Sequence, residues 1–444
     1  MKKNKKKNIE LRIESLNSNV TGSCNWCTLY LPNEKVEFLI DCGRYMEEDE
    51  LELNKTFPFN PSKINFVVAT HHHGDHTGRF PILYNQGYTG KIYASNYTSE
   101  FLKKVSISGY YEERRTAGEN ALWNESDAIS LINNLSEVEL YTKQKVHPNI
   151  EIEFFNNAHC RGAVLCMVIC TWEDEKIYTL FTGDYKEQTS VRKSVIPEHY
   201  RKEAPITIVT EATYGIRNKP EACFDKLVRK GLEQGGNVLV LAYGESMFEE
   251  AITRIKLLKQ KQLIDPELQI YIEINKVFEI SSKILNAMPP NVTFVKKATD
   301  KILSKYDQKQ KIVIVTERGG AVYFIPSMIQ HHKNIILFTN SVPTNSNTSR
   351  ILNTTKGERI TYGNETAIKK AATYSTEEFG CHAFIDEIER LVDSFDEVNG
   401  ILFGHGDSLA KNKVAERLGK KVKKSFVLKR GKAYKITSKT LKYY

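Results

Sequence analysis

Between residues 70 and 76 the chain reads Thr70-His71-His72-His73-Gly74-Asp75-His76, directly after an apolar, strand-like run at residues 64–69. Four histidines and an aspartate within six residues are costly to bury as ordinary core. A solvated loop, equally, has no use for so dense a set of borderline-soft donors. A strand that ends in such a loop lets the side chains converge on one point, so the segment predicts a sheet edge that holds metal. His71 and His73 alternate, and both rings can reach one ion, while Asp75 and His76 can turn toward a second. His72 faces away from that pair, behind it or toward solvent.

The 444 residues are 41% hydrophobic and 26% charged, which excludes disordered and collagen-like classes and predicts two to three domains, or one domain with a large insertion. Lys and Arg outnumber Asp and Glu by 63 to 54, a net +9 that favours an acidic partner without naming one. No apolar run approaches the roughly 18–20 residues that span a bilayer, and the basic, Asn-rich start lacks an apolar segment, so the expectation is a cytoplasmic protein without a membrane partner. The cysteines at 24, 27, 42, 160, 166, 170, 223 and 381 fall mostly in apolar runs and read as reduced and buried; Cys24 and Cys27 lack a second pair at zinc-ribbon distance. Strand patterns occur at 9–13, 28–31, 36–40, 64–69, 150–155, 163–171 and 177–182, with helical spacing at 97–105 and 126–135. From 205 to 341, strand runs at 206–209, 237–242, 268–272, 311–315 and 334–338 alternate with helix-like stretches, the pattern of a parallel α/β sheet.

The metal loop resembles the HxHxDH signature of the metallo-β-lactamase superfamily, matched by His71, His73, Asp75 and His76. In order along the chain, Asp41 resembles the acidic residue that supports the metal loop, His159 the third histidine and Asp184, in Thr182-Gly183-Asp184, the carboxylate that bridges two metals. Three further stretches resemble the β-CASP branch, the nucleic-acid-cleaving subgroup with an inserted domain. Motif A is matched by Val209 onward with Glu211, motif B by Phe379-Gly380-Cys381-His382-Ala383 with His382, and motif C by Phe403-Gly404-His405-Gly406-Asp407 with His405 as last ligand. The resemblance implies an αββα body with an inserted parallel α/β domain: a basic disordered tail at 1–8, the body at 9–205 and 342–444, and the insertion at 206–341. It implies a zinc-dependent ribonuclease leaving 5′-phosphate and 3′-hydroxyl ends, with single-stranded RNA as partner. Histidine at motif C is the mark of members similar to ribonuclease J and the pre-mRNA 3′-end nuclease, whereas DNA-repair members resembling Artemis typically lack it.

Chemistry supports the assignment. Two divalent ions about 3.5–4 Å apart can activate water and neutralise charge growing on a phosphodiester. An imidazole-rich set suits Zn2+, with Mn2+ able to use the same ligands. His71, His73 and His159 are expected on one ion and Asp75, His76 and His405 on the other, with Asp184 between. His382 oriented by Glu211 suits a general acid, making Asp75, Asp184, Glu211 and His382 the catalytic set. Departures from the branch pattern are Gly380 and Phe384 around His382, leaving Asp386 as its nearest substitute support, and the stretches Glu317-Arg318-Gly319-Gly320 and Asn347-Thr348-Ser349-Arg350 in the insertion. From Arg417 to Tyr444 there are eleven Lys or Arg and no Asp or Glu, read equally as phosphate attraction or as lysines guarding sheet edges. The alternatives are a DNA nuclease of the same fold, a metallo-hydrolase of a small ester or phosphodiester, and an RNA-binding scaffold without cleavage.

Overall fold

The computed structural model describes residues 9–17, 20–202, 205–273, 291–295, 310–316, 321–339 and 346–443. The basic tail at 1–8 and the Glu317-Arg318-Gly319-Gly320 stretch lie outside them. Two compact units are present, one of Met1–Gln188, Arg192–Asn218 and His382–Tyr444, the other of Thr189–Val191 and Lys219–Cys381.

In the first unit, β1 (Glu10–Ser15), β2 (Asn25–Tyr30), β3 (Lys35–Ile40), β4 (Phe66–Val68), β5 (Lys91–Ala94) and β6 (Leu135–Glu137) precede β7 (Lys143–His147), β8 (Ile150–Asn156), β9 (Val164–Trp172), β10 (Glu175–Phe181) and β11 (Ile206–Glu211). The second unit supplies β12 (Val238–Ala242), β13 (Gln269–Glu273), β14 (Val292–Val295), β15 (Lys311–Thr316), β16 (Ile335–Phe338), β17 (Arg359–Tyr362), β18 (Glu365–Ile368) and β19 (Ala372–Ser375). The chain then returns to the first through β20 (Val398–His405), β21 (Ser425–Val427), β22 (Ala433–Ile436) and β23 (Leu441–Tyr443).

The first unit is a sandwich of two mixed sheets, ordered β23-β22-β1-β2-β3-β4-β5-β6 and β21-β20-β11-β10-β9-β8-β7. Alternate residues of both sheets meet in one core, with Ile13, Phe38 and Phe66 from one face and Phe154, Val168, Val209 and Leu402 from the other. Helices close the outer faces. Phe80, Leu83, Leu102 and Leu131 cover the first sheet; Ile385, Ile388, Val414 and Leu418 cover the second. In the second unit, a sheet ordered β14-β13-β15-β12-β16-β19 is parallel throughout. Its β12 is buried along its whole Val-Leu-Val-Leu-Ala length, as a strand covered on both faces must be.

Two differences from the sequence reading have local causes. The strand at β11, read as opening the inserted segment, hydrogen-bonds to β10 and β20 in the first unit, whereas β19 pairs with β16 and carries the second unit on to Cys381. The helix expected at 97–105 runs over Asn96–Ala117, capped by the Ser95 side chain and ended at Gly118 with φ +59°. Its apolar spacing stops halfway because only its first half packs on the sheet, with Leu102 and Ser106 buried and Tyr111 exposed. The other helix, Glu125–Asn133, begins at a capping box between Asn124 and Asp127. No helix among the described residues is long and apolar enough to cross a membrane.

Phe66 is fully buried, stacked on Phe38 at 4.8 Å and edge-on to Tyr93 at 6.1 Å. Phe66→Ala should therefore destabilise the first unit by about 3–5 kcal/mol, read from the urea midpoint, without a change in the affinity of the site described next.

Candidate metal centre

Strands β3, β4, β10, β11 and β20 carry the candidate residues at or just beyond their C-terminal ends, where β3 pairs parallel with β4, and β11 parallel with both β10 and β20. Asp41 follows β3 with φ +62°, a left-handed conformation that few residues other than glycine adopt. Its carboxylate accepts from Thr70 N at 2.7 Å and Thr70 Oγ1 at 2.8 Å, and its Oδ2 lies 2.8 Å from His76 Nδ1. This fixes the loop and leaves the opposite nitrogen of His76 facing inward. The backbone after Asp41 lies directly on the metal loop: Cys42 N donates to His76 O and Arg44 N to Gly74 O. A side chain at Gly43 would sit 1.5 Å from Asp75 O. Gly183 is required for two reasons, a φ of +55° and the 2.6 Å that would separate an added Cβ from Thr70 Oγ1.

These constraints assemble two donor sets that share one carboxylate. His71, His73, His159 and Asp184 place a ligand atom each within 4.8 Å of one another, as do Asp75, His76, Asp184 and His405. Asp184 divides its oxygens between them. Oδ2 lies 3.8 Å from His71 Nε2 and 3.5 Å from His159 Nε2, while Oδ1 lies 3.2 Å from His76 Nε2 and 3.6 Å from His405 Nδ1. His73 Nδ1 lies 3.0 Å from His71 Nε2 and 3.2 Å from His159 Nε2. His76 Nε2 and Asp184 Oδ1 are buried without hydrogen-bond geometry to any described partner. Buried orphan donors and acceptors are rare, and a cation between these two would satisfy both. The residues therefore fit a metal pair.

Protonation agrees with that fit. Burial, reinforced by the neighbouring rings of His76, His73 and His159, drives the His71 pKa well below its usual value and keeps the ring a neutral donor. Burial acts the same way on His73. At His76 burial is outweighed by Asp184, Asp41 and Asp75, which raise its pKa well above the ordinary value. For Asp184, burial is outweighed by His405, His76 and His382, and the carboxyl is held well below its usual range.

His382 and Glu211 meet as expected, with His382 Nδ1 2.9 and 3.1 Å from the two carboxylate oxygens. Glu211 is fully buried, whereas the His382 side chain is 17% exposed. A β-bulge between β11 and β20 falls at Thr210 and Glu211, so that Glu211 pairs with His405 and both point into the site. Thr213 Oγ1 lies 2.9 Å from His405 Nδ1.

Asp386 does not support His382. It pairs with Arg390 at 2.8 Å on its own helix. That role falls to a residue the sequence reading missed, Lys186, whose Nζ donates to His382 O at 3.1 Å and to Glu387 Oε2 at 2.8 Å. Both side chains of this pair are 2% exposed. Glu387 also accepts from Phe384 N, and the Phe384 ring lies under the Lys186 ammonium at 4.3 Å and beside Tyr214 at 5.1 Å. The Phe384 departure is thus a ring that shields an ion pair. Sequence carries a signal for only one half of the pair: Glu387 stands three residues after a helix cap, whereas Lys186, two residues after Asp184, reads like any surface lysine. His72 is not solvent-facing but buried, its ring 4.1 Å from Phe101.

A family model described as Anti-Pycsar protein Apyc1 matches residues 25–264. Among curated proteins, the chain is 26% identical over 256 residues to "Transcription termination factor FttA" of Methanosarcina mazei, covering 55% of this chain and 39% of that protein. It is 22% identical over 385 residues to "Probable RNase MJ4" of Methanocaldococcus jannaschii, covering 82% and 86%. It is 23% identical over 244 residues to "Cleavage and polyadenylation specificity factor subunit 3-I" of Arabidopsis thaliana, covering 53% and 33%. The chain thus matches well under half the length of the first and third of these and most of the second.

Three outcomes follow from the geometry. Gly183→Ala should lower bound metal by displacing Thr70 and with it the loop, as counted by plasma mass spectrometry on the folded protein. Because Asp184, Asp41 and Asp75 favour the protonated form of His76 against the cost of its burial, metal loading should release a proton. Titration calorimetry in buffers of different ionisation enthalpy should show this release and an affinity that rises with pH. Lys186→Met should destabilise the chain by about 3–5 kcal/mol, since it leaves Glu387 buried and unpaired, and adding Glu387→Leu should recover part of that loss in urea melts.

Proposed function

The chain belongs to the family described as Anti-Pycsar protein Apyc1, and from its paired donor sets and its RNase relative we propose that it is a two-metal phosphodiesterase that hydrolyses single-stranded RNA, leaving 5′-phosphate and 3′-hydroxyl ends. In this reading the first unit is the αββα metallo-β-lactamase body and the second the β-CASP insertion. The observation that carries it is the division of Asp184, one oxygen toward each imidazole-rich set. His71, His73 and His159 would hold one ion, Asp75, His76 and His405 the other, and Asp184 both, with Zn2+ the better match to the nitrogen-rich donors and Mn2+ an alternative. Bound there, the pair would supply Lewis-acid activation of water and neutralise phosphate charge.

The remaining roles fall to the chain itself. Asp41 orients His76 through its Nδ1 and so aims Nε2 inward. Glu211 takes the Nδ1 side of His382, leaving the other ring nitrogen to hand a proton to the departing sugar oxygen. Lys186 holds the His382 main chain still. RNA as substrate is supported by the RNase relative, which matches over most of both chains. None of the eight cysteines is in a disulfide, which fits work in the reducing cytoplasm. A small phosphodiester is the second reading, favoured by membership in a family described as an anti-Pycsar protein rather than an RNase. DNA cleavage by the same chemistry is the third.

His382→Ala should keep both metals and lose about 10²–10⁴-fold in cleavage rate, whereas Asp184→Ala should lose metal and activity together. The deciding experiment is a cleavage time course on end-labelled RNA and DNA oligonucleotides alongside a small phosphodiester, with metal content measured. Normal cutting by His382→Ala would remove it from the acid role. Hydrolysis of the small ester alone would transfer the assignment to the second reading.

A further inference from the structure

We propose that the turn at residues 428–432, carrying Lys429, Arg430 and Lys432, is a phosphate-gripping rim of the candidate metal centre that engages single-stranded RNA beyond the scissile bond. The inference rests on the reading of this chain as an RNA phosphodiesterase. It deepens that reading by locating a contact surface that none of the ligand or acid residues supplies.

Topology places the turn. β21 runs parallel to β20 with Phe403 opposite Val427, and Leu428 N donates to Phe403 O. The turn after β21 therefore emerges level with Gly404 and His405, at the end of the sandwich that bears the donor sets. From there the chain enters β22, whose Ala433 lies opposite Glu14 near the end of β1. A side-chain contact connects the turn to the segment that packs on the 70–76 loop. The Arg430 guanidinium lies 5.7 Å from the centre of the Tyr45 ring, and Tyr45 belongs to the segment that follows Asp41 and hydrogen-bonds to the metal loop through Arg44.

Charge gives the turn its chemistry. Lys429, Arg430 and Lys432 are all exposed, and among the described residues none forms an ion pair. By contrast Lys421 pairs with Asp393 and Arg417 with Glu389. Three cations without a carboxylate partner within four residues, next to the candidate metal centre, suit a backbone that carries one negative charge per nucleotide. The same C-terminal segment also contains an internal control. Lys420, Lys423 and Lys424 precede β21, whose start at Ser425 pairs with Ile401, so this equally basic group lies at the opposite end of the sandwich from His405. If net charge or edge protection accounted for the lysines, the two groups would be equivalent. If the rim grips RNA, only the first group matters.

The test compares two triple variants of the full chain, Lys429→Gln/Arg430→Gln/Lys432→Gln and Lys420→Gln/Lys423→Gln/Lys424→Gln. Binding of a short, phosphorothioate-linked single-stranded RNA is measured by fluorescence anisotropy over a series of salt concentrations. The rim variant should weaken binding about ten- to hundred-fold near 0.1 M salt and reduce the slope of log affinity against log salt by about two, while the far-end variant binds like wild type. Equal losses in both variants, or none in either, would overturn the proposal. So would a rim variant that loses only its adsorption to vesicles containing anionic lipid. Hydrolysis of bis(p-nitrophenyl) phosphate by the wild-type protein tests the metal chemistry separately. A wild type that hydrolyses this ester but binds no RNA would overturn the rim and leave the chemistry standing. A rim effect without ester hydrolysis would do the reverse.

Discussion

A single buried carboxylate organises this molecule. Asp184 lies within 4 Å of ring nitrogens from His71, His76, His159, His382 and His405, and these come from segments spread over more than 300 residues of chain. Burying so many titratable groups together is tolerable only if their charges balance. The balance is visible in the opposite fates of neighbouring rings, with His71 kept neutral and His76 held toward its charged form by three carboxylates. Everything that fixes Asp184 and the loop opposite it, from the left-handed Asp41 to the glycines that let backbone touch backbone, serves that arrangement.

Much of this could be read from the residues alone, for identifiable reasons. The strands were legible because an inward-facing strand must be apolar at alternate positions or throughout, and β3, β8, β9 and β12 are. The candidate donors that the fold brings together were legible because metal chemistry accepts few side chains, so His71, His73, Asp75 and His76 stand out from any structural background. The short strands β6, β7 and β17 to β19 were not legible. Their burial is partial and mixed, and what makes them strands is a partner elsewhere in the chain. The far half of the helix Asn96–Ala117 escaped for a related reason, since its propensity and caps form it without an apolar stripe.

The site also shows where substitution patterns mislead. In the sequence, Gly380 and Phe384 stand where the usual support of His382 would be, and Asp386 is the nearest replacement. Support instead arrives through the main chain, from a buried ammonium that cannot be recognised in sequence because surface lysines are so common. A buried ion pair adds little net stability compared with an apolar pair, but it tolerates few alternative geometries. Lys186 and Glu387 thus exchange stability for the placement of the His382 backbone carbonyl beside the candidate donor sets.

The return of the chain from the second unit has a consequence for synthesis. The first sheet is completed only when β22 pairs with β1, and the second only when β20 enters between β11 and β21. His405 arrives with β20, more than 200 residues after Asp184. On the ribosome, a nascent chain that has folded everything up to Glu211 still lacks His382 and His405, and its β1 and β11 edges stay open. Such pairings between distant segments form late. The order of translation therefore leaves the candidate metal centre incomplete until β20 has been made.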